Sequence, residues 1–460
     1  MVLIHNFAAA QTNISLRNMS KEIQGFSKMS KKEKIQWMAK NFLYANPIDV
    51  MKEFAGFWHD NIEAQKLLDG FSENTLTNFP VPFGIAPNFM INGEIYAVPM
   101  VIEESSVVAA ASNAAKFWLS RGGFKAKVIA STKVGQVHFQ FDGDIEKLFF
   151  LFNTEIKAKL LQAVKPITAN MEKRGGGVKD LELIDFTSIE PDYYQIRCYF
   201  ETVDSMGANF INSCLEEFGK SLVDIISNDA RFNLEEQSIE VIMCILSNYT
   251  PECVVKAEVE CNVDELGSFD DGKMKAREFA ARFAKAVRIA QIDPYRATTH
   301  NKGIMNGIDA VVLATGNDFR AIEACAHTYA ARDGQYRSLS ECTIENNIFN
   351  FSLTIPLAVG TVGGLTSLHP LAKRSLEVLG NPSAHRLMEI IATVGLAQNF
   401  AAVKSLTTVG IQKGHMKMHL TNILASFQAT DAEMEKAREY FEDKTVSVSG
   451  VREYLLDIRK

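Results

Sequence analysis

Hydrophobic and polar positions along the chain alternate between two rhythms. Over residues 30–42 and 46–69 apolar side chains recur at helical spacing, and the same spacing follows Glu104 in EESSVVAAASNAAKFWLSR. Ser105 and Ser106 suit the start of that helix, and the alanines after them let its backbone approach a neighbour closely. In KVGQVHFQFDG the pattern shortens to a period of two, with Val137, Phe139 and Phe141 on one side, which predicts a strand. A helical stretch over 144–172 ends at Gly175-Gly176-Gly177. Strands are then expected at 178–186 and 192–203, a helix at 207–227 and a strand at 238–246. That β-α-β-β-α-β order is the ferredoxin-like split βαβ unit. Strand signals return over Val254–Val263. In MKAREFAARFAKAVRIAQI, Phe279, Phe283 and Val287 recur every four residues until Asp293-Pro294 ends the helix.

These elements predict an α+β protein. A large α/β-type domain is expected from 1–125 and 237–402, with a small ferredoxin-like, non-Rossmann domain of 126–236 inserted in it. A C-terminal helical flap of 403–460, poor in core residues, completes the chain. With 460 residues, 47% hydrophobic and 22% charged, there is enough apolar surface for more than one core. A net charge of −7 argues against a nucleic-acid partner, and the basic segment 28–40 reads as a solvated helix face. No apolar run nears the roughly 18 residues of a membrane span, and the N-terminus does not read as a secretory signal, so no membrane partner and a cytoplasmic location are expected. Seven cysteines without a CxxC, and histidines without an HExxH, predict no disulfide framework and no metal site. His415 and His419 stand at i, i+4 but lack further ligands.

Taken singly, the segments with chemical potential are ambiguous. Asp204-Ser205-Met206-Gly207-Ala208-Asn209 lies where a strand passes into a helix, a place that suits phosphate but equally a plain turn. The GxGxxG fingerprint after a first strand is absent. Gly360-Thr361-Val362-Gly363-Gly364 permits a tight turn. In HNKGIMNGIDAVVLATGNDFR, Lys302 and Asp318 can share a pocket, or can be a surface lysine and a helix-capping aspartate. Glu103-Glu104 can be first-turn acids, and His415 an ordinary exposed histidine.

Read together, PMVIEESSVVAAASNAAK, DSMGAN, NKGIMNGIDAVVLATGNDFRAIEA, GTVGGLTSLHPLA and VGLAQNFAAVKSLTTVGIQKGHM resemble the class II, bacterial-type 3-hydroxy-3-methylglutaryl-coenzyme A reductases. SENTLTNFPVPFGIAPNF is similar to that family's ENxIG-type segment, with Leu76 and Thr77 in place of Ile-Gly. The resemblance covers roughly residues 26 to 420. It implies reduction of the thioester to mevalonate and free coenzyme A by two hydride transfers, in a homodimer or higher homo-oligomer with sites at the interface. It implies a catalytic set of Glu104, Lys302, Asp318 and His415, with Ser105 replacing the proline usual after that glutamate. It also implies Ser106, Arg296, Thr299, Asn306, Asn248 and Gln398 around the substrate, and Asp204 to Asn209 as the cofactor motif.

The chemistry fits those residue types. A lysine stabilises charge developing on the substrate oxygen; a glutamate kept protonated by burial beside Asp318 supplies a proton. An imidazolium protonates the departing thiolate, and guanidinium pairs with a carboxylate. NAD-preferring members carry an aspartate shortly before the triple glycine. In a gapless alignment Thr168 takes its place, with Lys165, Lys173 and Arg174 nearby, so NADPH is expected and NADH is the alternative. NAD-dependent oxidation of mevalonate and a non-catalytic coenzyme A-binding scaffold are the competing readings.

Overall fold

The computed structural model describes residues 21–408, 420–421, 423–441, 444 and 446–460. Two compact units divide the chain at Pro82/Phe83. In the first, helices Lys31–Phe42 and Pro47–Ala55 meet through Ile35, Ala39 and Val50, and Ile62–Asp69 follows. The ENxIG-like segment is held locally: Trp58 Nε1 donates to the Leu76 carbonyl and Thr77 Oγ1 to that of Phe54. The stretch 46–69, expected as one helical run, is two helices, broken around Gly56.

The second unit opens with a hairpin, β1 (Phe83–Ile91) and β2 (Glu94–Val101), for which no strand was expected. Its turn is Asn92-Gly93, both at positive φ (53° and 87°), the backbone that a two-residue hairpin demands. Helix α1 (Val107–Leu119) follows, burying Ala111, Ala114, Ala115 and Trp118. Next come β3 (Lys125–Val128), β4 (Lys133–Gln140), a helical stretch from Ile145 to Glu172, β5 (Gly177–Asp185) and β6 (Tyr193–Glu201). Helix α2 (Ala208–Ser227) leads to β7 (Glu240–Ser247) and β8 (Val254–Asn262). Beyond them lie α3 (Ala276–Ile292), α4 (Pro294–Ala314), α5 (Phe319–Ala330), β9 (Ser340–Glu345), β10 (Ile348–Pro356) and the long α6 (Ala384–Thr407).

Strands β4 to β7 form an antiparallel sheet in the order β5-β6-β4-β7, the ferredoxin-like arrangement read from the sequence. Its own core joins Val137, Phe139, Ile196, Phe200, Leu215 and Phe218. The fourth strand runs to Ser247, beyond the expected limit of 236, while β3 at 125–128 belongs to the other sheet. That second sheet, β3-β8-β10-β9, is also antiparallel. Strands β9 and β10 turn on Asn346-Asn347, again both at positive φ.

Helix α6, with 15 buried residues, is buried on all sides over 390–400, as a central helix must be. It crosses α4 closely because both helices carry glycine at the crossing. A Cβ on Gly307 would lie 2.8 Å from Gln398 Cβ, and one on Gly395 2.7 Å from Ile308 Cγ1. Helix α6 passes through the expected 402/403 boundary. Helices Asp431–Tyr440 and Val448–Ile458 have a small core around Leu424, Phe441 and Val451, so the terminal segment is less poor in core residues than expected.

Candidate active site

Asp293 caps α4 by accepting from the N–H groups of Tyr295 and Arg296, and Pro294 stands at the first helical position. Lys302 therefore lies in the middle of a 21-residue helix. Arg296, Thr299, Lys302 and Asn306 recur at three- and four-residue spacing and share its outer face, while Ala297, His300, Asn301, Ile304 and Ile308 are buried. Lys302 Nζ meets Glu104 Oε2 at 2.6 Å, and Asn306 Nδ2 donates to the same oxygen at 3.3 Å. Glu104 comes from the turn between β2 and α1. The next turn residue but one, Ser106, is held at φ 76° and its hydroxyl caps nothing, contrary to the expected capping role. A non-glycine residue in the left-handed region beside a candidate catalytic carboxylate is strain of the kind that functional sites retain.

The guanidinium of Arg296 is half-buried and has no carboxylate partner among the described residues; burial lowers its pKa. Thr299 Oγ1 turns back to the Tyr295 carbonyl. Gln398, on α6, is buried with its Oε1 unpartnered among the described residues. Buried acceptors are rarely left so, which marks a polar position open to a ligand.

Asp318 departs from expectation. Its carboxylate caps α5, accepting from Arg320 N (3.1 Å) and Ala321 N (3.2 Å), and it makes no ion pair with Lys302. Nor is Glu104 buried beside it: the Glu104 side chain is 40% exposed and its partners are Lys302 and Asn306. Asp318 instead borders a cavity of about 280 Å³ that it shares with Asn248, Cys325, Lys133, Met206 and Ala208. His415 lies outside the described residues.

That cavity connects Asp318 to the DSMGAN turn. Val203 (φ 53°) and Gly207 (φ 85°) both take the left-handed conformation, which is costly for a β-branched residue. Lys133, a residue that no sequence signal marked, holds the turn from behind. Its buried ammonium donates to Thr202 Oγ1 (2.5 Å) and to the carbonyls of Ser205 (2.8 Å) and Met206 (3.2 Å). Helix α2 then starts with no side-chain cap, leaving first-turn N–H groups of the kind that favour an anion. The Asp204 carboxylate accepts from Ala384 N at 2.7 Å, at the start of α6, and its carbonyl from Thr361 N at 2.8 Å. Gly360 packs so tightly here that a Cβ would lie 2.3 Å from Met206 N; its own N–H donates to Asn317, next to Asp318. Glycine at 360 and a turn free of bulk at Gly207 and Ala208 make a cradle that suits a dinucleotide's phosphates.

Thr168 does not present its hydroxyl as expected. The residue is 1% exposed and its Oγ1 donates to Glu172 Oε1 at 2.7 Å. Lys165 also pairs with Glu172, whereas Lys173 and Arg174, beside the triple glycine, are exposed without carboxylate partners among the described residues. Thr168→Val is accordingly expected to leave the ratio of kcat/KM for NADPH and NADH within about twofold, the hydroxyl being too buried to discriminate. A larger change in that ratio would restore Thr168 as a specificity residue.

A Lys302–Glu104 pair between α4 and the β2–α1 turn, in the same unit as a ferredoxin-like rather than Rossmann body, fits the class of non-Rossmann reductases. Residues 32–420 match the family model described as hydroxymethylglutaryl-coenzyme A reductase, and the chain belongs to that family. A 3-hydroxy-3-methylglutaryl-coenzyme A reductase from Archaeoglobus fulgidus is 35% identical over 457 residues, 96% of each chain. The structure of the corresponding Streptococcus pneumoniae reductase superimposes with a TM-score of 0.69 at 36% identity, covering 95% of this chain and 99% of that one. A second S. pneumoniae structure, a class II reductase bound to NADPH in open conformations, gives 0.67 at 38% identity over 84% and 99%.

Proposed function

We propose that this chain reduces 3-hydroxy-3-methylglutaryl-coenzyme A to mevalonate and free coenzyme A, using NADPH. The observation that carries this is the Lys302–Glu104 pair at 2.6 Å, on the helix face that also bears the unpaired guanidinium of Arg296. The 204–209 turn would hold the phosphates of a reduced dinucleotide, which would supply a hydride in each of two reductions. Lys302 balances the negative charge that each reduction develops on the substrate oxygen. Glu104, which accepts from Lys302 and is 40% exposed, takes up a proton from water and passes it to that oxygen. His415 protonates the thiolate of coenzyme A when the thioester bond breaks. Arg296 pairs with the substrate's terminal carboxylate, with Ser106, Thr299, Asn306, Asn248 and Gln398 around the remainder. Asp318 acts from the cavity bordered by Met206 and Ala208.

In this reading the ferredoxin-like body holds the dinucleotide, and the β3-β8-β10-β9 sheet with its helices holds the thioester. Lys173 and Arg174 favour the 2′-phosphate of NADPH. Phe83 and Ile85, both exposed on β1, support a homodimer, because apolar side chains side by side in water mark an interface. Among the described residues no helix is long and apolar enough to cross a membrane, and no three His, Cys, Asp or Glu side chains cluster as metal ligands. The reading places the enzyme in the cytoplasm. Steady-state rates with NADPH and NADH in both directions test it. Thioester-dependent NADPH oxidation is expected. A preference for NADH of tenfold or more would favour mevalonate oxidation, and no turnover in either direction would leave a scaffold.

A further inference from the structure

Beneath Lys302, on the opposite face of α4, lies a polar chain inside an otherwise apolar core. His300 is 1% exposed, and its Nε2 is 2.7 Å from Ser340 Oγ. Ser340 Oγ donates to Asn399 Oδ1 at 2.8 Å, and Asn399 Nδ2 reaches the His300 carbonyl at 3.5 Å. Ser338 spends its proton on the Ser340 carbonyl. With Ser340's one proton committed to Asn399, His300 must be the donor to Ser340, which fixes the Nε2–H tautomer. The other ring nitrogen, Nδ1, is buried without a partner among the described residues. Burial, with the Arg296 charge nearby, holds the imidazole neutral, its pKa pushed down to about 3. Next to it Asn301 donates to the Arg337 carbonyl (2.8 Å) and accepts from Leu339 N (3.1 Å). One turn of α4 is thus bonded to the approach to β9 and to α6 together.

Elsewhere α4 meets α6 through glycines and aliphatic side chains, including Gly307, Ile308, Val394 and Gly395. Such surfaces fill space well but tolerate small slips and rotations. Buried hydrogen-bonded groups select one alignment because any other leaves them unpaired. His300 and Lys302 are separated by roughly 200° around the helix, so fixing one fixes the direction of the other.

We propose that His300 is a positioning residue, a neutral imidazole that locks the rotation and height of α4 through Ser340 and Asn399 and so holds Lys302 at Glu104. The proposal rests on the reading of Lys302 as the group that stabilises charge on the substrate oxygen. The test compares His300→Leu and His300→Gln with the parent by steady-state kinetics and by amide exchange across residues 294–314. His300→Leu is expected to lower kcat roughly tenfold or more, as small misplacements of a reacting group do, with KM for NADPH within about twofold. Exchange should quicken in α4 and not in α2. His300→Gln, whose amide can donate to Ser340 from a similar point, should recover most of the loss. A folded His300→Leu with parental kcat, or a His300→Gln no better than it, would overturn the lock. Should His300→Leu not fold, Ser340→Ala removes the central hydroxyl, and parental kcat there overturns it equally. If the parent reduces no thioester, the functional reading fails. The exchange comparison still decides on the lock, and unchanged exchange overturns it.

Discussion

Lys302→Ala is expected to yield a folded protein in which reduction of the thioester is almost abolished. The ammonium projects from the outer face of α4, its side chain is 60% exposed, and among the described residues its one ion-pair partner is Glu104. Removing it therefore disturbs no core, and surface changes of this sort usually shift stability by no more than about 0.5 kcal/mol. The loss falls on the reaction. Charge developing on the substrate oxygen would be left to alanine and to whatever water enters, and removal of one preorganised stabiliser costs on the order of 3–4 kcal/mol, or about 10²–10³ in rate. Both reductions need the same group, so free mevaldehyde should be affected as strongly as the thioester. The check is kcat on both substrates beside a thermal melt. Activity within a factor of a few of the parent, in a protein that melts normally, would remove Lys302 from the mechanism.

What could be read from the sequence follows physical lines. The ferredoxin-like body was legible because β4, β5 and β6 alternate clearly and a triple glycine marks the turn before β5. The hairpin β1–β2 and the pair β9–β10 were not read, although Asn92-Gly93 and Asn346-Asn347 are strong turn signals. The residues of α4 were within reach of a spacing argument, since Arg296, Thr299, Lys302 and Asn306 fall on one helix face. Gly303, Gly307 and Asn301 weaken the helical signal of that stretch. Asp318 carried both of its readings, and the structure realises the structural one, a helix cap, while placing it at the cavity. Lys133 had no signal at all. A lysine opening a strand is ordinary until the fold carries the 202–206 turn across its ammonium. Thr168 failed for a related reason: a sequence position next to a glycine turn says nothing about which way a hydroxyl faces.

Gly360→Ala should separate cofactor binding from the rest of the enzyme. A Cβ at this position would lie 2.3 Å from Met206 N, 2.9 Å from Ser205 C and 3.1 Å from Asp204 O. All three are backbone atoms, so no side chain can swing aside to make room. The 204–206 turn would have to retreat by about 1 Å to reach ordinary contact, at a strain of about 1–3 kcal/mol if it resisted. Lys133 opposes that retreat from behind through the Ser205 and Met206 carbonyls, and Asp204 is tied to Ala384 N and Thr361 N. The turn is thus caught between two fixed contacts and must distort. Its distortion should raise the Kd for NADPH by roughly tenfold or more, because phosphate binding by backbone N–H groups depends on their alignment. The proposed thioester face centres on Arg296, Lys302 and Asn306 of α4 rather than on this turn, so the KM for 3-hydroxy-3-methylglutaryl-coenzyme A should stay within about twofold. Fluorescence titration of NADPH reads the first quantity without turnover, and initial rates at saturating NADPH read the second. Unchanged NADPH affinity in a folded Gly360→Ala protein would mean that the cofactor does not use the 204–209 turn. An equal rise in both constants would mean that the substitution loosens the molecule generally rather than this cradle.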